Sequence, residues 1–244
     1  MNRPERPEVL ALLRKLGGSS LGDQLILAGS SGLYGASETI PALTEDVDVV
    51  VDADWVAAHE SFVLREMERL GFRQTPQTCT FNLPDGMSLD LVGYSREDQV
   101  DRVGGGPQIP IMVFGDLSRL LSTPESTVEL SGGGRALAPA ALAASKLLTV
   151  RLEKGSKDKL QALLLIAENA DDPKFLASLR RHLSYFEPET VEDALADAQM
   201  ATLAVSGDAM RADLQSRGYR DMSDALKRGL DLLRRLLERE EEGQ

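Results

Sequence analysis

Residues 45–52 read Glu-Asp-Val-Asp-Val-Val-Val-Asp, acids and valines in alternation that close on an apolar run. The period of two and the β-branched content predict a strand. On a strand, side chains at i and i+2 share a face and sit about 6.6 Å apart along the backbone. Asp46 and Asp48 therefore look to one side, while Val47 and Val49 look to the other. A fold that buries the valines must hold two carboxylates on its opposite face, where like charges repel. A divalent cation between them removes the penalty, and Mg²⁺ suits such a site because one or two carboxylates and substrate phosphates complete its octahedron. Solvated acids on an exposed sheet face are the alternative, and this pair alone leaves it open.

A third acid follows the same grammar. Asp90 lies in Ser88-Leu89-Asp90-Leu91-Val92, again alternating. The two runs 78–83 and 87–94 flank Pro84-Asp85-Gly86, a tight-turn tripeptide, and predict a β-hairpin. If its second arm lies beside the Asp46 strand, the three acids converge. Upstream, the short apolar run 25–29 predicts a buried strand that ends in Gly29-Ser30-Ser31-Gly32. Backbone N–H groups in such a loop can cradle phosphate, and glycine permits close approach.

Around these signals the chain divides into two halves. Up to about residue 135, short strands alternate with helices predicted at 7–16, 54–70 and 115–121, and 30–45 and 104–110 read as loops. From Pro139 onward the pattern is helical, at 139–153, 157–170, 172–183, 188–205 and 221–240. The expected architecture is α+β: a small mixed sheet with flanking helices over 1–135, then a helical domain over 136–244. The boundary falls between Ser131 and Pro139, where three glycines precede a proline.

Composition narrows the function classes. Net charge is −12, with −9 in residues 1–135 and −3 in the remainder, which argues against a sequence-independent DNA or RNA binder. No apolar run approaches the roughly 18 residues of a membrane span. The N-terminal stretch has no secretory pattern, and the single Cys79 leaves no internal disulfide, so a cytoplasmic protein is expected.

A strand, a Gly-Ser turn, an Asp-x-Asp strand and a later third acid together resemble the nucleotidyltransferase superfamily with the DNA polymerase β-like fold. By position, Gly29 and Ser30 match its first motif, Asp46 and Asp48 its second, and Asp90 its third. The resemblance implies a nucleoside triphosphate substrate, two Mg²⁺ ions held by Asp46, Asp48 and Asp90, and transfer of the nucleotidyl group to an acceptor. It also gives Asp90 a role as general base. Thr44-Glu45-Asp46-Val47-Asp48 further resembles the bacterial minimal nucleotidyltransferases of toxin–antitoxin and abortive-infection systems. Those proteins also carry a helix with a lysine, matched by Lys146, and a Lys-Asp pair, matched by Lys157-Asp158. The likeness implies nucleotide-binding roles for Lys146 and Lys157 and extends over about residues 24–166. The chain departs from that group in having 15 residues between Ser30 and Asp46, and Leu43 where a basic residue often precedes the Thr.

The acceptor is left open among protein, RNA and small molecule, with a cognate toxin or antitoxin as a further partner. Two rivals stand beside the enzyme: a non-catalytic antitoxin or partner-binding protein that keeps the fold, and an unrelated metal-dependent phosphohydrolase. Cys79 reads as core. His59 and His182 lack metal-ligand spacing and read as incidental.

Overall fold

The structure, a computed structural model, describes residues 6–40, 46–76, 78–130, 133–148, 155–205 and 222–241. The fold is α+β, an N-terminal mixed sheet followed by helices. By backbone proximity it separates into two compact units, one of Met1–Gly35 with Ala42–Ala138, the other of Ala36–Pro41 with Pro139–Gln244.

The first unit carries helices α1 (Arg6–Gly17), α2 (Leu33–Ala36), α3 (Ala53–Arg69) and α4 (Gly115–Leu120). Its strands are β1 (Leu25–Leu27), β2 (Asp46–Asp52), β3 (Arg73–Gln74), β4 (Thr80–Asn82), β5 (Ser88–Tyr94), β6 (Arg102–Gly105), β7 (Pro110–Val113), β8 (Thr127–Glu129) and β9 (Arg135–Leu137). They form one sheet in the order β3-β4-β5-β2-β1-β9-β8, with β7 paired to β5 and β6 to β7. β2 runs antiparallel to β1 and parallel to β5, so the chain crosses over between β2 and β5 through α3. One face of the sheet carries the core: Val47, Val49, Phe81, Leu89 and Leu91 are buried there together with Leu13 and Leu16 of α1 and Val56, Val63 and Met67 of α3. Burial of a Val, Leu, Ile, Phe or Met side chain stabilises by about 1.5–3 kcal/mol, so this face fixes which way every strand points.

Local chemistry explains most boundaries. The Asp52 carboxylate accepts from Asp54 N and Trp55 N and caps α3, which starts at Ala53, one residue before the expected 54. The β4–β5 hairpin forms as expected, closed by Leu83 N to Met87 O at 2.8 Å, with Gly86 at φ 92° in its turn.

Several expectations require correction. The stretch 30–45, read as loop, contains the short helix α2. Residues 41–45, including Leu43, Thr44 and Glu45, lie outside the described residues. The stretch 104–110, also read as loop, gives Gly104 and Gly105 to β6 and Pro110 to β7, because pairing opposite Ile111 and Pro110 satisfies backbone that the glycine-rich composition seemed to leave free. β3 went unread because two residues are too few to show a period.

The second unit carries α5 (Pro139–Leu148), α6 (Gly155–Glu168), α7 (Pro173–Leu183), α8 (Pro188–Val205) and α9 (Ser223–Glu241). The part of the first expected helix beyond Leu148 falls on residues 149–153, outside the described residues. α7 starts at Asp172, whose side chain accepts from Lys174 N, with Pro173 at its first position. α5 and α6 are buried nearly throughout, as their alanines and leucines require. No helix among the described residues is long and apolar enough to cross a membrane.

Candidate metal centre

The parallel pairing of β2 with β5 sets Asp46 opposite Ser88 and Asp48 opposite Asp90. Residues paired across neighbouring strands share a face, so all three acids stand on the side away from the valine and leucine core. One carboxylate oxygen from each lies within 4.8 Å of the other two, and all three side chains are half-buried. The expectation that the hairpin's second arm would lie beside the Asp46 strand is met.

The donor set fits a hard cation, since it offers carboxylate oxygens with no nitrogen or sulfur. Mg²⁺ holds its ligands at 2.0–2.1 Å, so two oxygens on one ion stand at most about 4.2 Å apart. The present spread, at most 4.8 Å, is close to that separation.

Gly29 is fitted to this cluster. Its φ of 57° lies in the left-handed region, and a Cβ built there would fall on Asp48 Oδ2 and within 2.6 Å of Asp48 Cγ. Glycine is thus required twice, by the turn and by the carboxylate that occupies the space beside it. The loop is also tied to β2 through the backbone: Ala28 N donates to Asp48 O at 3.1 Å.

Ser31, which sequence reasoning passed over, completes the joint. It is wholly buried, its hydroxyl donates to Ala28 O at 2.9 Å, and it accepts from Asp48 N at 3.1 Å. The available signal was the second serine of Gly-Ser-Ser-Gly, a polar residue that needs partners once its neighbours are buried. Ser30 is nearly as buried, at 5% exposure.

Cys79 precedes Thr80, the residue paired with Asp90 across β4 and β5. It packs against the apolar core as expected, and burial first, then the charge of Asp90, pushes its thiol above the ordinary cysteine value. An anionic cysteine nucleophile is disfavoured there.

Lys146 and Lys157 belong to the second unit. Lys146 is 3% exposed and donates to Asp158 Oδ1 at 2.9 Å and Gln161 Oε1 at 2.7 Å. Lys157 is half-buried, next to that aspartate. Asp158 of the Lys157-Asp158 motif is thus bonded to Lys146. His59 stacks on Trp55 with ring centroids 4.7 Å apart, and His182 is buried near the end of α7.

No family model matches the sequence, and no curated protein matches it. Among solved structures, a chain from H. pylori provisionally described as a nucleotidyltransferase aligns over 98% of this chain and 96% of its own. The identity is 12% and the TM-score 0.45, a likeness that by itself carries no conclusion about fold or activity.

Proposed function

We propose that this protein is a divalent-metal-dependent nucleotidyltransferase, with the transfer chemistry in residues 1–135 and a helical domain over 136–244. The observation that carries the reading is the convergence of Asp46, Asp48 and Asp90 within 4.8 Å, on the strand that the Gly29–Ser31 loop buttresses. A solvated acidic face has no need of a glycine moulded to one carboxylate or of a buried serine bonded to that residue's backbone.

Asp46, Asp48 and Asp90 would hold the metal, two Mg²⁺ in the full complement. Bound metal supplies charge neutralisation at the triphosphate and at the departing oxygen. The protein's own groups do the rest. Gly29 and Ser30 turn backbone toward the phosphates and leave them room. Asp48 is held in place from behind by Gly29 and Ser31. Asp90 takes the acceptor hydroxyl's proton as the acceptor oxygen bonds to the α-phosphorus. The bond from that phosphorus to the bridging oxygen breaks, and pyrophosphate leaves. Lys157 adds positive charge to nucleotide binding, and Lys146 contributes by holding Asp158 beside it.

The experiment is incubation with each α-³²P-labelled NTP, Mg²⁺ and whole-cell extract, followed by separation of labelled protein, RNA and small molecules. Labelled product with pyrophosphate release is expected from the wild type and none from Asp48→Asn. Release of free phosphate or nucleoside monophosphate with no labelled acceptor would transfer the site to a phosphohydrolase. A metal response with neither labelling nor hydrolysis would leave a partner-binding protein, and a co-purifying toxin or antitoxin would then identify the partner.

A further inference from the structure

The sheet continues past Asp90 on the same face. β5 pairs with β4, and β4 with β3, in a register that sets Thr80 opposite Asp90, Asn82 opposite Ser88 and Arg73 opposite Asn82. With Asp46 opposite Ser88, four adjacent strands present Asp46, Ser88, Asn82 and Arg73 in one transverse row, and Asp48, Asp90 and Thr80 in the row beside it. Burial confirms the common face: the intervening Phe72, Phe81, Leu89 and Val47 are at most 2% exposed, whereas Arg73 and Asn82 are exposed and Thr80 and Ser88 half-exposed.

The row changes character along its length. At one end stand the carboxylates. In the middle are neutral hydrogen-bonding groups, among them the Asn82 amide, which donates to Thr75 Oγ1 at 2.9 Å. At the far end is a guanidinium that makes no ion pair among the described residues. Neighbouring strands are about 4.8 Å apart, so the Arg73 backbone lies roughly 10 Å from that of Ser88, and its long side chain can reach back over part of that gap.

We infer that this row is the acceptor platform of the transfer site and takes a small hydroxyl-bearing acceptor with a single anionic group, of the sugar-phosphate class. The inference rests on the transfer reading for the word acceptor, but not for the binding itself. A hydroxyl beside Asp90 and Thr80 lies where its proton can be removed, the neutral groups match further hydroxyls, and Arg73 pairs with the phosphate through its planar fork. A polynucleotide fits less well. It would bring many phosphates to a half of the chain with net charge −9, and the row offers one cation.

Ribose 5-phosphate is the probe, titrated by calorimetry into wild type and into Asp48→Asn, whose disabled metal centre removes phosphate binding through metal. Saturable binding to both is expected. Ribose in place of its phosphate, or Arg73→Gln in place of arginine, should weaken it about tenfold or more, the range of a lost hydrogen bond to a charged group. Thr80→Val should weaken it less, and circular dichroism should show both variants folded. Equal affinity in wild type and Arg73→Gln overturns the proposal, as does absence of binding to the wild type at millimolar concentration. Arg73-dependent binding of a short RNA oligonucleotide, tighter than that of ribose 5-phosphate, overturns the small-acceptor class. Arg73-dependent binding of ribose 5-phosphate without nucleotidyl transfer would fault the transfer reading alone. Transfer with an acceptor KM indifferent to Arg73→Gln would fault the platform alone.

Discussion

Asp48→Asn should separate two melting points in the absence of metal, and Mg²⁺ should bring them back together. Asp48 takes part in two of the three carboxylate pairs of the cluster, each with oxygens no more than 4.8 Å apart. At that separation a charge pair repels by about 0.9 kcal/mol in a water-like medium and about 3.5 kcal/mol at an effective dielectric of 20. For half-buried groups in between, deleting one charge relieves about 2–3 kcal/mol over the two pairs. Asparagine matches aspartate in shape, so the fit against Gly29 and the backbone bonds of Ser31 persist. In EDTA the variant should therefore melt higher than wild type, by roughly 4–12 °C at the 2–4 °C per kcal/mol typical of chains this size. In Mg²⁺ at 100 times its dissociation constant the wild type gains about 2.7 kcal/mol, worth roughly 5–11 °C, while the variant gains little. Differential scanning calorimetry in the two buffers is the assay. A variant that melts below wild type in EDTA would show that the carboxylate is structural. Identical Mg²⁺ shifts in the two proteins would remove the metal centre.

Three further outcomes are expected. Gly29→Ala should cost about 1–2 kcal/mol from its left-handed backbone and, by displacing the Asp48 carboxylate, should lower Mg²⁺ affinity more than melting temperature, as a parallel calorimetric titration would show. Lys146→Ala strands Asp158 in the helical unit and should destabilise by about 3–5 kcal/mol in urea unfolding, whereas Lys146→Met with Asp158→Leu should recover most of the loss; additive losses would refute the pairing. The Asp54 carboxyl is held below the ordinary aspartate value first by the Ser95 hydroxyl, at 2.7 Å, and, against the opposing effect of burial, by Arg102. Its stabilisation is therefore complete above the ordinary value and disappears as pH falls through the lower folded one, so Ser95→Ala should lower stability at neutral pH, by an amount that shrinks as pH falls through that window and is absent below it, as urea unfolding at a series of pH values would show.

The site's acids were legible because strand parity is local. Asp46, Asp48 and Asp90 each alternate with valine or leucine, and that alternation fixes their face before any partner strand is known. Ser31, Arg73 and Asn82 were not legible for the opposite reason. Their significance lies in what sits across from them: an amide on β2 for Ser31, and two successive strand registers for the others. Lys146 shows a third situation. Its alanine neighbours fit a lysine that projects freely as well as one buried in helix packing, and only the position of Asp158 on α6 decides between them. The strand assignment of Gly104 and Gly105 shows the same dependence on a partner, since composition announces a turn and the β7 backbone overrides it.

The in-register pairing of β2 with β5 also has a consequence for how the protein comes into being. Asp48 and Asp90 are 42 residues apart, and their strands run parallel, so no local hairpin can bring them together. A slip of one residue would put Leu89 or Leu91 beside Asp48 on the charged face and push Asp90 into the apolar layer. Only one alignment both buries the leucines and assembles the cation cage. During synthesis the cage cannot exist until β5 has emerged and the crossover has closed, a slow step for non-local parallel pairing. A cation held by these three acids would thus report a correctly threaded β2–β5 pair, and a nascent chain unable to hold one would be a chain whose core is already misaligned.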